Sequence, residues 1–435
     1  MIAQGVKRVP KTVIIGAGSI VFARRLILDL LAYPELRDGT IALVDLDPDR
    51  LEVITSLAKH VVALRKHPTR IESTTDRGPA LDGADHVITA INVGHDAVYL
   101  DHAIPQKHGV LQQVADTIGP GGVFRGLRAG PALLAICRDM ERLCPDAWLL
   151  NYTNPMAIVT WAINAGTRVK AVGLCHSVQG TSHQLAGYIG VPYDEVSYWV
   201  AGINHMAWFL SFTHRGEDAY PRLREAMADP ETYARDRVRF EILRHFDYFV
   251  TESTPHMSEY VPYFRRTAEL VSQFGLRTPS LDRSRWSARW EKHRESVEKQ
   301  IAGEEPIPDQ PSTEYAAGIV HSLVTGTLRR INGNVLNRGL ITNLPEGCCV
   351  EVPCLVDGTG LRPCYVGGLP PQCAALNRGN IALQELAAQA IVERDRRKAF
   401  QAVCLDPLTA AVLTLGEIRQ MVHEMLDAEA EWLWK

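Results

Sequence analysis

The sequence has no strong excess of either charge: 46 Lys and Arg face 50 Asp and Glu, for a net charge of −4. No basic block is suited to a polyanion, so nucleic acid is not an expected partner. No apolar run is long enough to span a bilayer, and a membrane role is not expected either. Internal repeats and low-complexity linkers are missing, so the second half should wrap against the first rather than hang from a tether. Near the N-terminus the apolar run is brief and breaks into glycines rather than a cleavage site, which argues against a secretion signal. Nine cysteines, odd in number and irregularly spaced, then fit reduced thiols in a cytoplasm better than a disulfide framework. At least one thiol is left over as a potential ligand.

What is present is material for a large soluble fold. At 435 residues, with 46% hydrophobic and 22% charged residues, the chain exceeds one ordinary core and suggests two packed domains or one enlarged α/β unit. Lys11 to Ile15 is a β-branched run that stops at Gly16-Ala17-Gly18-Ser19, after which Phe22, Leu26, Leu30 and Leu31 recur at helical spacing. Thr40 to Asp45 is a second strand, Asp47-Pro48 starts a helix, and Asp85 to Ile91 is a third strand. Further on, helices are expected over Pro131 to Leu143 and Pro155 to Ala165, and strands over Ala147 to Leu150 and Val169 to Leu174. This alternation predicts a Rossmann-like, doubly wound parallel sheet. Beyond about Ala201 charged helices (Trp286 to Ala302, Leu383 to Ala402) mix with β-like runs such as Cys348 to Val356. Residues 1–200 therefore read as a nucleotide-binding α/β domain and residues 201–435 as a C-terminal α+β domain packed against it.

In open α/β sheets ligands gather outside the carboxyl ends of the strands. Here those ends are polar: Asn92, Asn151 to Asn154, and Cys175-His176-Ser177. Gly16 and Gly18 allow a sharp turn that brings backbone N–H groups, Ser19 and the following helix's positive end towards a pyrophosphate. Val21 stands where the third glycine of that fingerprint belongs, and a merely structural turn is the alternative. Asp45 ends the second strand, where a carboxylate binds both ribose hydroxyls and repels a 2′-phosphate, favouring NAD over NADP; an N-cap or turn carboxylate ahead of Asp47-Pro48 is the alternative. Cys175 and His205 offer a thiolate and an imidazole to a divalent cation, against the simpler reading of a buried cysteine and a core histidine. Cys348, Cys349 and Cys354, with apolar neighbours, read as a buried strand rather than a metal cluster.

The stretches AIPQKHGVLQQVADTIGPGGVFRGLR, LLNYTNPMAIVTWA, VGLCHSVQGT and AGINHMAWFL resemble glycoside hydrolase family 4. SEYVPYF, NGNVLNRGLITNLPEGCCVEVPCLVD and DPLTAAVL extend the resemblance nearly end to end, towards the family's α-galactosidase branch. The family tolerates a larger residue in place of the third glycine. The resemblance implies hydrolysis of glycosides with NAD+ and a divalent metal, usually Mn2+, outside the two-carboxylate pattern of most glycosidases. Hydride leaves sugar C3 for NAD+ and later returns; the transient ketone acidifies the C2 proton; elimination expels the C1 aglycone and water adds back.

The resemblance also implies site roles. Cys175 and His205 are the metal ligands, with sugar oxygens and water completing the coordination. Tyr260 is the base at C2, which requires nearby positive charge to lower a phenol's pKa; Tyr263 lies close by, and packing is the plainer role for Tyr260. Asp116 increases the tyrosine's basicity, or else caps a turn. His176 protonates the leaving oxygen, or hydrogen-bonds to the metal's surroundings. Asn154 binds a sugar hydroxyl, or forms a turn before proline. Gly119 to Gly122 is expected to be a flexible loop beside Asp116.

The expected substrate is a small α-linked galactoside such as melibiose, and a homodimer or homotetramer is implied. An α-galacturonidase or α-glucosidase of the same mechanism needs only a changed pocket around C4 and C6. From another class, an NAD-dependent hydroxy-acid dehydrogenase or a silent NAD sensor shares the first half's architecture.

Overall fold

The computed structural model describes residues 9–279, 281 and 284–434. Six parallel strands form the first half of one sheet: β1 (Lys11–Ile15), β2 (Thr40–Val44), β3 (Arg70–Thr74), β4 (His86–Thr89), β5 (Trp148–Asn151) and β6 (Lys170–Gly173). Their order is β3-β2-β1-β4-β5-β6, the doubly wound arrangement expected when β-branched runs alternate with helices. β1 is buried but for its first residue, and β4 throughout, as befits strands covered on both faces.

The sheet continues into the second half of the chain. β7 (Val196–Ile203), β8 (Met206–His214), β9 (Glu217–Asp218), β10 (Arg329–Leu336), β11 (Cys349–Asp357) and β12 (Gly360–Pro363) add antiparallel strands. β10 pairs with β6 at Asn334 and Gly173, and β11 pairs with β7 at Glu351 and Gly202. One hydrophobic cluster accordingly includes Leu26 and Leu150 from the first half with Trp208, Ile331 and Ile391 from the second. Cys348, Cys349 and Cys354 are buried on or beside β11, as their apolar neighbours predicted.

Two expectations are corrected. Gly119 to Gly122 is the buried first turn of a helix, Gly119–Leu143, not a flexible loop. A Cβ on Gly121 would lie 2.7 Å from that of Ala115, and one on Gly122 would lie 2.5 Å from Thr117's carbonyl carbon. These glycines let the helix sit directly against the segment that carries Asp116. The helix expected over Leu383 to Ala402 is two helices, Pro371–Glu393 and Arg396–Cys404. Arg394 between them is left-handed (φ +56°), and Asp395 caps the second through the N–H groups of Arg397 and Lys398. An Asp N-cap inside a helical pattern is a start signal.

Candidate active site

The glycine turn is fixed by sterics. Gly16 has φ +91°, and a Cβ there would run into the Ala90 carbonyl, so only glycine fits. The N–H groups of Gly16 and Ala17 both donate to the Val44 carbonyl, at 2.9 and 3.0 Å. Gly18 N donates to Asp45 Oδ2 at 2.7 Å, while Asp47 N donates to Asp45 Oδ1 at 3.0 Å. Asp45 thus ties the glycine turn to the start of the helix Pro48–Leu64, whose N-cap is Asp47. Ser19 occupies the N-cap position of the helix Ile20–Ala32 without a side-chain capping bond. That helix end contributes unpaired N–H groups and a positive dipole end to the crevice. Ser19, Asn92, Arg50 and Trp290 border a cavity of about 380 Å³. With Ser19 N donating to the Gly16 carbonyl at 3.1 Å, the turn's own N–H groups are spent inside the fold, contrary to expectation, and it is the start of the helix with the acid at the β2 tip that fits a dinucleotide.

Hydrogen bonds join the neighbouring strand tips. Ile91 N donates to Thr153 Oγ1 at 3.0 Å, Tyr152 N to the Thr89 carbonyl at 2.8 Å, and Leu174 N to the Asn151 carbonyl at 2.8 Å. Cys175 follows Leu174 directly. His205 sits in the two-residue turn between β7 and β8, with φ +63°. Its Nε2 lies 3.3 Å from Cys175 Sγ and 3.2 Å from Glu252 Oε2. The thiol, imidazole and carboxylate atoms all fall within 4.8 Å of one another. Burial lowers His205 to about 4, so its imidazole is neutral at pH 7, the form that ligates. Burial, with the charges of Glu252 and Glu351, holds the Cys175 thiol well above its ordinary range. A thiol, a neutral imidazole and a carboxylate crowded together suit a borderline-soft divalent ion.

Beside this triad stands an alternating row of charges. His256 Nε2 is 3.3 Å from Asp116 Oδ1, and its Nδ1 is 3.2 Å from Glu252 Oε1. Burial opposes protonation of His256, but the hydrogen bonds and charges of both acids hold its pKa well above the usual histidine range. Burial likewise opposes ionisation of Asp116, and His256 outweighs it, so this carboxylate stays well below the ordinary range. Asn154 Nδ2 donates to Asp116 Oδ2 at 2.9 Å. Tyr260, 1% exposed, lies with its ring centroid 6.2 Å from that of His205. Burial pushes its phenol well above 10, the charges of Asp116 and Glu252 add to this, and a hydrogen bond from Thr117 opposes it; this is the reverse of the lowering by positive charge expected of a base at C2, because the charged groups of the chain that face the phenol are acids. Tyr263 is 43% exposed, with its ring against Phe246 and Phe264. The structure therefore brings Asp116, Asn154, Cys175, His205 and Tyr260 together and leaves Tyr263 at the surface.

Residues 11–191 match the sequence model of the Family 4 glycosyl hydrolase, and residues 200–409 that of the family's C-terminal domain. The chain belongs to family 4 of the glycosyl hydrolases. An α-galactosidase of Bacillus subtilis (strain 168) is 40% identical over 97% of this chain and 99% of its own length. An α-galactosidase of Rhizobium meliloti (strain 1021) is 37% identical over 97% of this chain and 89% of its own. A 6-phospho-β-glucosidase of Thermotoga maritima, solved with manganese, NAD+ and glucose-6-phosphate, shares the fold at a TM-score of 0.78 and 21% identity, over 97% of this chain and 99% of that one.

Several site groups of this family 4 hydrolase escaped the sequence reading. His256 and Tyr260 are four residues apart on the helix Thr254–Tyr260, a spacing that puts both on one face and could have revealed the pair. Glu252 precedes that helix with φ +72°; an acid four residues before His256 was a weaker signal. Glu314, whose Oε1 lies 3.6 Å from His176 Nδ1, comes from a distant segment with no local motif. His176 itself is 63% exposed, at the N-terminus of the helix Ser177–Tyr188. Glu351 on β11 is fully buried, and burial raises it to about 8. His205 and Glu252, together with Ala115 (φ +50°), hold left-handed backbone at Cβ-bearing residues. Such strain concentrates where surrounding structure enforces a functional geometry.

Proposed function

We propose that this family 4 hydrolase is an α-galactosidase that cleaves small α-galactosides such as melibiose with NAD+ and a divalent ion, Mn2+ by preference. The observation that carries this reading is the convergence of Cys175, His205 and Glu252 with Asp116 and Tyr260 at the strand tips next to the glycine-turn crevice. The α-galactosidases that are 40% and 37% identical to this chain support the same reading. When bound, NAD+ accepts and returns hydride at sugar C3, and the cation draws charge from the C2 and C3 oxygens.

The chain's own residues supply the rest. Gly16 and Gly18 shape the turn at which Ser19 and the start of the helix Ile20–Ala32 would receive the pyrophosphate, Asp45 would meet the ribose, and Asn92 borders the same crevice. Cys175 and His205 hold the ion, and Glu252 is placed to join them. Tyr260 takes the C2 proton, its basicity increased by Asp116. Asn154 orients Asp116 and a sugar hydroxyl. His176, exposed towards solvent and backed by Glu314, donates a proton to the leaving oxygen. A cytoplasmic location and a homodimeric or homotetrameric assembly belong to the same proposal; among the described residues no helix is long and apolar enough to cross a membrane.

The test offers nitrophenyl α-galactoside, α-glucoside and α-galacturonide with NAD+, Mn2+ and a thiol reductant, omitting each additive in turn. Galactoside hydrolysis that needs all three, without net NADH, is expected. Preference for the galacturonide or glucoside would change the assigned sugar. Stoichiometric NADH would point instead to a hydroxy-acid dehydrogenase.

A further inference from the structure

Asp116 and Thr117 reach the site on the segment from Gln112 to Ile118, which belongs to no helix or strand. Backbone N–H groups in such a segment need partners other than a ladder. Three in a row find the same one. Gln113 N and Val114 N donate to Glu259 Oε1 at 2.6 and 2.7 Å, and Ala115 N donates to Glu259 Oε2 at 3.1 Å. Gln112 Nε2 lies 3.3 Å from the same Oε2 and also donates to the Ile118 carbonyl at 2.8 Å. We propose that Glu259 is a positioning residue for deprotonation at sugar C2: its carboxylate fixes the segment bearing Asp116 and Thr117 against Tyr260, its neighbour in sequence. This rests on the reading of Tyr260 as the base.

Three features support it. First, Glu259 is 2% exposed, and a buried carboxylate facing several backbone donors is a strong, directional anchor. Second, the last of the three donors is Ala115, whose φ of +50° is unfavourable for a residue with a Cβ. Such a conformation persists only when its surroundings over-determine it, and Glu259 supplies that constraint one residue before Asp116. Third, successive side chains on a helix diverge by about 100°, so the last turn of the helix Thr254–Tyr260 can direct Glu259 into the segment and Tyr260 into the site. Base and partner are thereby held by adjacent residues of one turn. Arg265 links the same turn to the segment, donating to Ser258 Oγ at 2.5 Å, Gln113 Oε1 at 2.9 Å and the Leu111 carbonyl at 2.9 Å.

Glu259→Gln preserves shape but leaves one acceptor oxygen and turns an NH2 group towards backbone donors. In the NAD+- and Mn2+-loaded enzyme, kcat on an aryl α-galactoside should fall by on the order of a hundredfold, the scale of a catalytic group displaced by about an ångström. KM should stay within about threefold. The kinetic isotope effect with substrate deuterated at C2 should rise, and amides 113–115 should exchange with deuterated solvent faster than in the parent, while NAD+ affinity is kept. Val114→Pro removes one donor while leaving Glu259 in place, and should reproduce the effect in smaller measure; it carries the test if the Gln variant does not fold. Faster amide exchange with unchanged kcat and isotope effect would overturn the assignment. So would a joint loss of kcat, NAD+ affinity and melting temperature, which marks a purely structural role. If the parent enzyme exchanges no hydrogen at C2 during turnover, the deprotonation reading itself fails, and that outcome is visible without any variant.

Discussion

The nucleotide crevice and the sugar pocket adjoin along the same strand tips but are built from different materials. The crevice is made largely of main chain contributed by neighbouring segments: Gly16, Gly18 and Asp45 within about thirty residues, joined through backbone N–H groups. The pocket is made of buried and partly buried ionisable side chains, Asp116, Cys175, His205, Glu252, His256 and Tyr260, of which only His256 and Tyr260 share an element. Backbone recognition tolerates change in side chains, whereas a cluster of buried charges depends on every member. Substitutions in the pocket should therefore cost chemistry, and those in the crevice should cost affinity.

The largest effect is expected at Cys175. Cys175→Ser should lower kcat by on the order of a thousandfold or more, several kcal/mol of lost charge stabilisation, and should weaken Mn2+ binding measured by calorimetry. Unchanged metal dependence would remove Cys175 from the ligand set. Tyr260→Phe should follow, losing roughly a hundred- to ten-thousandfold in kcat, while Tyr263→Phe, at the surface, should leave kcat unchanged. The reverse ranking would break the pocket assignment. In the crevice, a Cβ on Gly18 would lie 2.8 Å from Asp45 Oδ2 and 2.9 Å from Arg50 Cβ. Gly18→Val should weaken NAD+ by about tenfold or more, about 1.4 kcal/mol, with kcat retained at saturating cofactor. Tight NAD+ binding by this variant would show that the turn does not hold the pyrophosphate.

The smallest effect on activity is expected at the opposite ends of the strands, where a buried group bears on stability alone. Burial lowers His86, at the start of β4, from 6.5 to about 4. The unfolded chain therefore takes up a proton that the folded chain refuses. Stability should be complete above pH 6.5 and should decline as the pH falls towards 4, by up to about 3 kcal/mol. Urea midpoints between pH 7 and pH 4.5 should show this slope, and His86→Gln should flatten it.

The same contrast explains what the sequence made legible. The Gly16-Ala17-Gly18 turn, Asp45 and the alternating strands announce themselves through local spacing, and the first half of the sheet follows from them. Cys175 and His205 were visible as chemistry-bearing residues, and the family resemblance carried their pairing. Glu252, Glu314 and Glu351 were not legible, because they meet His205, His176 and Gly202, 47 to 149 residues away, only in the folded sheet. Gly119 to Gly122 misled for a related reason. Glycines usually mark loops, but here they mark close packing of a helix on the Asp116 segment.

The most direct test is turnover of an aryl α-galactoside in deuterated water with NAD+ and Mn2+, followed by NMR of the released galactose. The account predicts deuterium at C2, the substrate's own hydrogen at C3, and no accumulated NADH. Galactose that carries only its original hydrogen at C2 would contradict it.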